Sequence, residues 1–419
     1  MSMEKITQCL IFSELFEQPI HLKFDEPHSS SDGGALLLKA ADQKLQLTSA
    51  LAACLVERRQ EAKVKHTIED LLRQRIYGLA SGYADANDAA RLAHDPIFKL
   101  LLDRSPVDGA ELSSQPTLSR FENSIGPKEN YRLGLALAQA VIERQQKRLR
   151  GKVRRITVDL DPTDDPTHGQ QEFTCFNAHY DTYCYLPLLG FVSFNDEPEQ
   201  YLVTAVLRPG NATEKTGVVV GLLARLLALV RAAFPQATIN LRLDGGFACP
   251  AMFDYLESVP RLEYVCGIAK NAVLEPQAQP LLAQARQREK QGQRPRVYGE
   301  CRYQAKTWKR ARRVVIKAEI VYNIWGEAKN NPRFVVTNKR QSPKTIYQKA
   351  YCSRGEIENA SKNCNWEWNW IAPVVPASGP TNSASCSPPP LMRSCRRSAC
   401  KRSKPRSPAP RSPRCANGC

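Results

Sequence analysis

The sequence has no long apolar run that is free of charge. Its longest apolar stretch, residues 216–234, contains Arg225 and Arg231. Charges at such central positions argue against a membrane span and favour a buried helix of a large domain. The first ten residues, MSMEKITQCL, carry charge early and lead into no apolar segment, so we expect no secretory signal. We therefore expect a cytoplasmic protein that makes no membrane contact.

Cysteine pairs at metal-binding spacing are also missing. Six of the 14 cysteines lie beyond residue 363, and the other eight are scattered singly along the chain. This distribution argues against a zinc-binding module and against a secreted disulfide scaffold, and it is typical of reduced, intracellular proteins.

Acidic residues are in the minority. The chain has 59 Lys and Arg against 42 Asp and Glu, a net charge of +17. This balance favours nucleic acid, an anionic membrane surface or acidic substrates as partners. From residue 363 onward nine basic residues face one acid, Glu367, so this part contributes +8 and leaves +9 for the first 362 residues. The main part of the chain is therefore basic by itself.

Four regions differ in pattern. Residues 1–125 place apolar side chains at spacings of three and four, which predicts an α-helical N-terminal domain, and a linking helix follows over residues 126–150. Over residues 151–362 strand patterns come first and then alternate with helices, which predicts an α/β catalytic domain with a mixed sheet. Within it, residues from about 275 to 335 read as a β-rich insertion.

The fourth region, residues 363–419, is a basic tail rich in Pro, Ser and Cys, with ten of the 29 prolines. One interpretation is a disordered basic arm of a nucleic-acid-binding protein. The other, which we favour, is a frameshift product, because suitable codons would let a neighbouring frame encode an apolar helical pattern.

Acidic residues collect at the ends of two predicted strands. Asp159 and Asp161 share a face of the strand RRITVDLD, about 7 Å apart, and Asp161 ends that strand. Asp244 ends the strand INLRL and precedes Gly245 and Gly246, which permit close backbone approach. Solvated turns are the alternative for both, but strand-end carboxylates of neighbouring strands can converge on one site.

A third acid lies on the last predicted helix. Tyr351, Arg354 and Glu358 stand at positions i, i+3 and i+7, hence on one helical face, although a surface ion-pair face has the same spacing. Three carboxylates on separate elements suit Mg²⁺ or Mn²⁺, which prefer oxygen ligands, and two such ions can drive phosphodiester cleavage and strand transfer. His168, near the first acids, could order a metal-bound water or be a solvated loop residue.

In these motifs the chain resembles a DDE transposase of bacterial insertion sequences. The likeness is to the subgroup with a Tyr, Arg, Glu and Lys signature, and more narrowly to the insertion-sequence family numbered thirteen-eighty. It covers roughly residues 20 to 360 in the family's order. The stretches that carry it include SSDGGALLLKAADQKLQLT, SQPTLSRFEN, VDLDPTDDPTHGQQEFTCFNAHYDTYCYLPLLGF, LRLDGGFACP and YCSRGEIEN.

The resemblance implies Asp161, Asp244 and Glu358 as catalytic, metal-binding acids, with Tyr351 and Arg354 in support. Asp159 is the rival for the first position and Glu356 for the third. The implied fold is ribonuclease H-like with a β-rich insertion. The implied partners are double-stranded DNA, as terminal inverted repeats bound by the N-terminal helices and as target DNA, and a second copy of the chain in a homodimeric synaptic complex.

One departure and one basic run complete the sequence picture. The signature Lys belongs seven residues after Glu358, where Asn365 stands; Lys362 is one turn away. An inactive, truncated or frameshifted remnant that only binds inverted repeats is therefore the alternative to an active, nucleoid-associated transposase.

The run KTWKRARR is either a solvated surface or a contact to the DNA backbone. Its basic residues are Lys306, Lys309, Arg310, Arg312 and Arg313.

Overall fold

The computed structural model describes residues 8–9, 21–22, 29–169, 171–213, 217–323 and 325–354. All of them belong to one structural unit, residues 1–377. Glu356, Glu358, Lys362, Asn365 and the basic tail lie outside the described residues. The order of elements confirms the prediction of helices followed by a mixed α/β sheet.

Two short strands, β1 (Gln8–Cys9) and β2 (His21–Leu22), pair antiparallel where only helix was expected. Helices follow. They are α1 (Leu36–Leu45), α2 (Leu47–Ala52), α3 (Ile68–Ala80), α4 (Ala89–Leu92), α5 (Pro96–Leu101), α6 (Gln115–Ser124) and α7 (Pro127–Leu149).

Local sequence explains where these helices begin. The Thr67 side chain accepts a hydrogen bond from the backbone N–H of Asp70, and the Asp70 carboxylate accepts one from the backbone N–H of Thr67, a capping box that starts α3. At α5, Asp95 caps the helix and Pro96 occupies its first position, where a missing N–H costs nothing. The apolar sides of these helices form two clusters, one around Phe98 and one around Leu71.

The second half of the described chain contains the strands and the remaining helices. The strands are β3 (Arg155–Pro162), β4 (Asp165–Pro166), β5 (Cys175–Asn177), β6 (Thr182–Tyr185), β7 (Leu188–Phe194), β8 (Tyr201–Val206), β9 (Thr238–Leu243), β10 (Leu262–Ile268), β11 (Arg296–Tyr303), β12 (Arg312–Tyr322), β13 (Ala328–Asn330) and β14 (Arg333–Thr337). The helices are α8 (Gly217–Ala233), α9 (Pro250–Ser258), α10 (Leu274–Lys290) and α11 (Pro343–Thr345).

Nine of these strands form one sheet, in the order β11-β12-β14-β10-β9-β3-β7-β8, with β13 beside β12. Strands β3, β9 and β10 run parallel to one another, and the other neighbours pair antiparallel. The three late strands expected as a β-rich insertion, β11, β12 and β14, are therefore present and extend the central sheet, with β13 as an unpredicted addition.

The two faces of the sheet differ. Alternate residues of β3, such as Ile156 and Val158, pack with α7 to α10 in the largest apolar cluster. The long apolar stretch that contains Arg225 and Arg231 forms α8. Its buried Leu223 and Leu227 lie in that cluster, as expected of a buried helix. Among the described residues no helix is long and apolar enough to span a membrane.

The opposite face is polar near β3 and β9 and is covered elsewhere by residues 343–354. That segment starts as α11 and continues as a π-helix, Ile346–Tyr351, and a 3₁₀ turn, Cys352–Arg354. Ile346 and Tyr347 pack there against Val265 of β10 in a smaller cluster. The segment thus lies over the face on which the candidate acids stand.

Candidate active site

The register of two parallel strands brings Asp161 and Asp244 together. The ladder between β3 and β9 pairs Thr157 with Asn240 and ends at the pair Asp159 and Arg242, and Asp161 and Asp244 each follow that last pair by two residues. Neighbouring strands are about 4.8 Å apart, and residues two apart share a face. The two carboxylates therefore share the polar face at the carboxyl ends of β3 and β9.

The Asp244 carboxylate is oriented by the turn that follows it. Its Oδ1 accepts a hydrogen bond of 2.8 Å from the backbone N–H of Gly246, which caps the 3₁₀ turn Gly245–Phe247. The Asp161 side chain is held on a buried strand, with a residue exposure of 8%. Both acids are thus fixed by backbone structure, as a preorganised site requires.

Tyr180 lies beside the same acids, in the loop between β5 and β6. Burial, together with the negative charges of Asp164, Asp161 and Asp244, raises the pKa of Tyr180 to about 12. The small sheet β4-β6-β5 therefore brings a protonated phenol to the acid pair. Tyr180 cannot be recognised from the sequence alone, because nothing in its local pattern, FNAHYD, shows that the loop between β5 and β6 lies beside the acids.

Tyr351 reaches this face from the π-helix. A Cβ placed on Gly267 would lie 2.6 Å from the Tyr351 hydroxyl oxygen and 3.0 Å from the backbone nitrogen of Gly245. Gly267 of β10 lies beside the peptide that joins Asp244 to Gly245, since an added Cβ would be 3.4 Å from the Asp244 carbonyl carbon, and its missing side chain leaves room for the phenol. The side chain of Arg354 and the whole of Glu358 are not described, so the predicted third acid stays a prediction.

The remaining acids of the first cluster differ in environment. Asp159 is buried and forms an ion pair with Arg242. Asp165 is buried in the small sheet, whereas Glu172 and His168 are exposed. Burial, and secondarily the charge of Asp164, raises the pKa of Asp165 to about 6.

Replacing Asp165 by Asn should stabilise the protein at pH 7. The pKa of this carboxyl is higher in the folded chain than its ordinary value of 3.8, so the folded state binds the proton more tightly and the free energy of unfolding falls as pH rises from about 4 to about 6. An amide has no proton to lose, so we expect a gain of about 1–2 kcal/mol at pH 7.

Urea unfolding at pH 4 and pH 7 measures this effect. The control is Asp181→Asn, at an exposed position in the loop between β5 and β6. Equal pH dependence in the wild type and Asp165→Asn would contradict the assignment of a raised pKa.

The basic run lies largely in ion pairs with α9. Lys309 contacts Asp254 at 3.0 Å, and Arg310 donates a hydrogen bond to Glu257 at 2.8 Å, yet both cations remain exposed. Arg312 differs from expectation: its side chain is 2% exposed, it donates to both of these acids, and it packs on Trp308.

The run therefore divides into an inner and an outer part. The Arg312 guanidinium is part of the protein interior. Arg313 is half-buried and pairs with Glu300. Surface for a polyanion is left at Lys306, Lys309 and Arg310, which are exposed.

The carboxylates of Asp161 and Asp244 are ligands of the right chemical type for a hard divalent cation, but two carboxylates alone are too few. Both lie on the polar face at neighbouring strand ends, and Mg²⁺ and Mn²⁺ prefer oxygen donors. Within the described ranges no group of three or more His, Cys, Asp or Glu side chains could hold a metal ion. A third carboxylate or imidazole ligand would therefore come from outside those ranges, where the predicted Glu358 lies.

Comparisons with known proteins give one strong match. The family model described as "Transposase DDE domain group 1" matches residues 12–370. A search of curated proteins found no match. Among solved structures, the crystal structure of a pre-cleavage Mos1 transpososome matches at 13% identity, covering 53% of this chain and 77% of that chain, with a TM-score of 0.18. That TM-score is too low to support a fold assignment.

Proposed function

Since the chain belongs to the group 1 family of transposase DDE domains, we propose that it is a transposase that cleaves DNA at the ends of an insertion sequence and transfers the 3′ hydroxyl to target DNA. The observation that carries the proposal is that Asp161 and Asp244 each lie two residues beyond the last pair of two parallel strands and both act on the same side chain, Tyr180. Membership of the insertion-sequence family numbered thirteen-eighty is part of the proposal and rests on the sequence motifs.

The strand order supports a ribonuclease H-like core. Strands β8, β7 and β3 are antiparallel neighbours, and β9 and β10 follow β3 in parallel. On this proposal the first acid ends the central strand β3, the second follows the next strand β9, and β11 to β14 form an insertion before the helix with the third acid.

In the proposed mechanism Asp161, Asp244 and Glu358 hold Mg²⁺ or Mn²⁺. When bound, the metal supplies activation of the attacking water or hydroxyl and charge stabilisation of the leaving oxygen. The N–H of Gly246 orients the Asp244 carboxylate, and Tyr180 lies beside the acids with its hydroxyl donating to the backbone carbonyl of Pro162 at 3.5 Å. The Tyr351 hydroxyl lies close to Gly267, which neighbours the backbone after Asp244, and Arg354 is assigned to a DNA phosphate.

The proposed partner is double-stranded DNA. The net charge of +17 favours a polyanion, and the N-terminal helices are assigned to the terminal inverted repeats. A homodimer that holds two ends together is part of the same proposal. Lys306, Lys309 and Arg310 are assigned to contacts with the DNA backbone because they remain exposed.

Replacing Lys306 by Ala should weaken DNA binding equally for all sequences. Loss of one phosphate contact lowers the slope of log affinity against log salt by about 0.9. Titration of labelled DNA at several salt concentrations measures the slope, with Lys290→Ala, an exposed lysine at the end of α10, as control. An unchanged slope in Lys306→Ala would remove this residue from the proposed DNA surface.

A second candidate is a binding-only remnant, favoured by Asn365 where the signature has Lys. The two candidates differ in one assay, incubation of the full chain with end-bearing DNA and Mn²⁺. Metal-dependent nicks at the ends support the transposase. Salt-dependent binding that prefers the repeats, without any nick, supports the remnant.

A further inference from the structure

A buried ion pair connects the two strands that carry the candidate acids. The Arg242 Nε donates to Asp159 Oδ1 at 2.6 Å, and Nη2 donates to Oδ2 at 2.7 Å. Both residues are nearly inaccessible, at 9% and 2% exposure. Two nitrogens of the guanidinium thus donate to the two oxygens of one carboxylate. This bidentate arrangement is stronger and more directional than a single hydrogen bond.

The position of this pair is as informative as its geometry. Asp159 precedes Asp161 by two residues on β3, and Arg242 precedes Asp244 by two residues on β9. Side chains two apart on a strand share a face about 7 Å apart. The ion pair therefore lies directly beside the acid pair, on the same face and across the same two strands.

A buried ion pair is a costly way to join two strands. Desolvation of two charges offsets much of their attraction, and apolar residues of the same size often give equal or better stability. A charged pair at this place therefore suggests a task that apolar side chains cannot perform. The nearby task that depends on charge is cation binding by Asp161 and Asp244.

We infer that Asp159 and Arg242 are positioning residues of the metal site, an inference that rests on the proposed function. Arg242 holds the Asp159 carboxylate, so Asp159 is not a metal ligand and does not compete with Asp161 for the cation. The neutral pair also fixes the register of β3 and β9, and with it the separation of the two acids. Asp159 thereby ceases to be a rival for the first acid.

If Asp159 and Arg242 act through their charges, the two single variants should change the Mn²⁺ affinity in opposite directions, which a merely structural role would not do. Asp159→Asn leaves the Arg242 charge unbalanced beside the acids and should weaken Mn²⁺ binding. Arg242→Gln leaves the Asp159 charge unbalanced and should strengthen it. Each shift is expected to be at least about tenfold, the effect that a unit charge some 7 Å from a divalent cation has even at the dielectric constant of water. The double variant D159N/R242Q restores neutrality and should bind Mn²⁺ within about threefold of the wild type.

Mn²⁺ binding to the full chain is measured by the electron paramagnetic resonance of free Mn²⁺, for the wild type, both single variants, the double variant and Asp161→Asn. If Asp159 is a ligand, the double variant still loses affinity about tenfold or more, because neutrality is restored but the ligand is not, and the inference is overturned. Equal affinity in all three pair variants, or single variants that shift in the same direction, also overturns it.

Two safeguards keep the result decisive. If a single variant does not fold, the double variant and Arg242→Lys, both with a neutral pair, must still bind within about threefold of the wild type, and a tenfold loss in either contradicts the inference. If Asp161→Asn binds Mn²⁺ like the wild type, the proposed metal site itself is wrong and the inference falls with it. A loss in Asp161→Asn together with a loss in the double variant refutes the inference alone.

Discussion

Replacing Asp161 by Asn is expected to lower the rate of Mn²⁺-dependent cleavage of end-bearing DNA by about a thousandfold or more. The bound metal would stabilise the charge of the transition state, and losing this stabilisation raises the barrier by several kcal/mol. Asn keeps the size of the side chain but removes the charge that a hard cation needs. Asp244→Asn should have an effect of the same size, because the two acids occupy equivalent positions just beyond the last pair of β3 and β9 and are assigned to the same cation.

The assay for this prediction is single-turnover cleavage at saturating protein, with DNA affinity measured in parallel. Affinity for the repeats should stay within a few-fold of the wild type, because neither acid is assigned to the DNA backbone. Asp181→Asn, at an exposed position of the nearby loop, is the control and should cleave normally. Persistent cleavage in either acid variant would refute the site assignment.

Replacing Gly267 by Ala is expected to slow cleavage about a hundredfold, the size of effect that a misplacement near 1 Å can have in an active site. The added Cβ would lie 2.6 Å from the Tyr351 hydroxyl and 3.0 Å from the Gly245 nitrogen. The phenol can swing away, but the backbone after Asp244 has no such freedom. The variant should therefore disturb both Tyr351 and the second acid without removing either.

Gly221→Ala is the matched control, because a Cβ on this α8 residue has no neighbour within 4 Å. It should cleave like the wild type. Cleavage rates and thermal unfolding are compared for both variants, since a loss of activity in Gly267→Ala counts only if the variant remains folded. A fully active, folded Gly267→Ala would show that close approach of Tyr351 is not needed.

Much of the sheet could be read from the sequence because its strands keep a two-residue period. In β9 the apolar Ile239, Leu241 and Leu243 alternate with polar residues and predict one buried face. The same alternation places Arg242 and Asp244 on the other face, so the partner of Asp159 could have been suspected. The pairing of Asp159 with Arg242 could not be predicted, because it depends on the register between two strands that are about eighty residues apart in the sequence.

Other features depend on long-range contacts that no local pattern encodes. The aromatic and apolar stretch from Thr182 to Phe194 forms β6 and β7 in separate sheets, with Pro187, which lacks an N–H for the ladder, between them. The last helix was expected to be regular, yet residues 346–351 form a π-helix, a form frequent at functional sites.

The most direct test of the central claim is an anomalous difference map from crystals of the full chain soaked in Mn²⁺. The account predicts a peak between Asp161 and Asp244, about 2.1 Å from a carboxylate oxygen of each. The third protein ligand should come from the segment after Arg354. A peak on Asp159, or no peak at the ends of β3 and β9, would contradict the account.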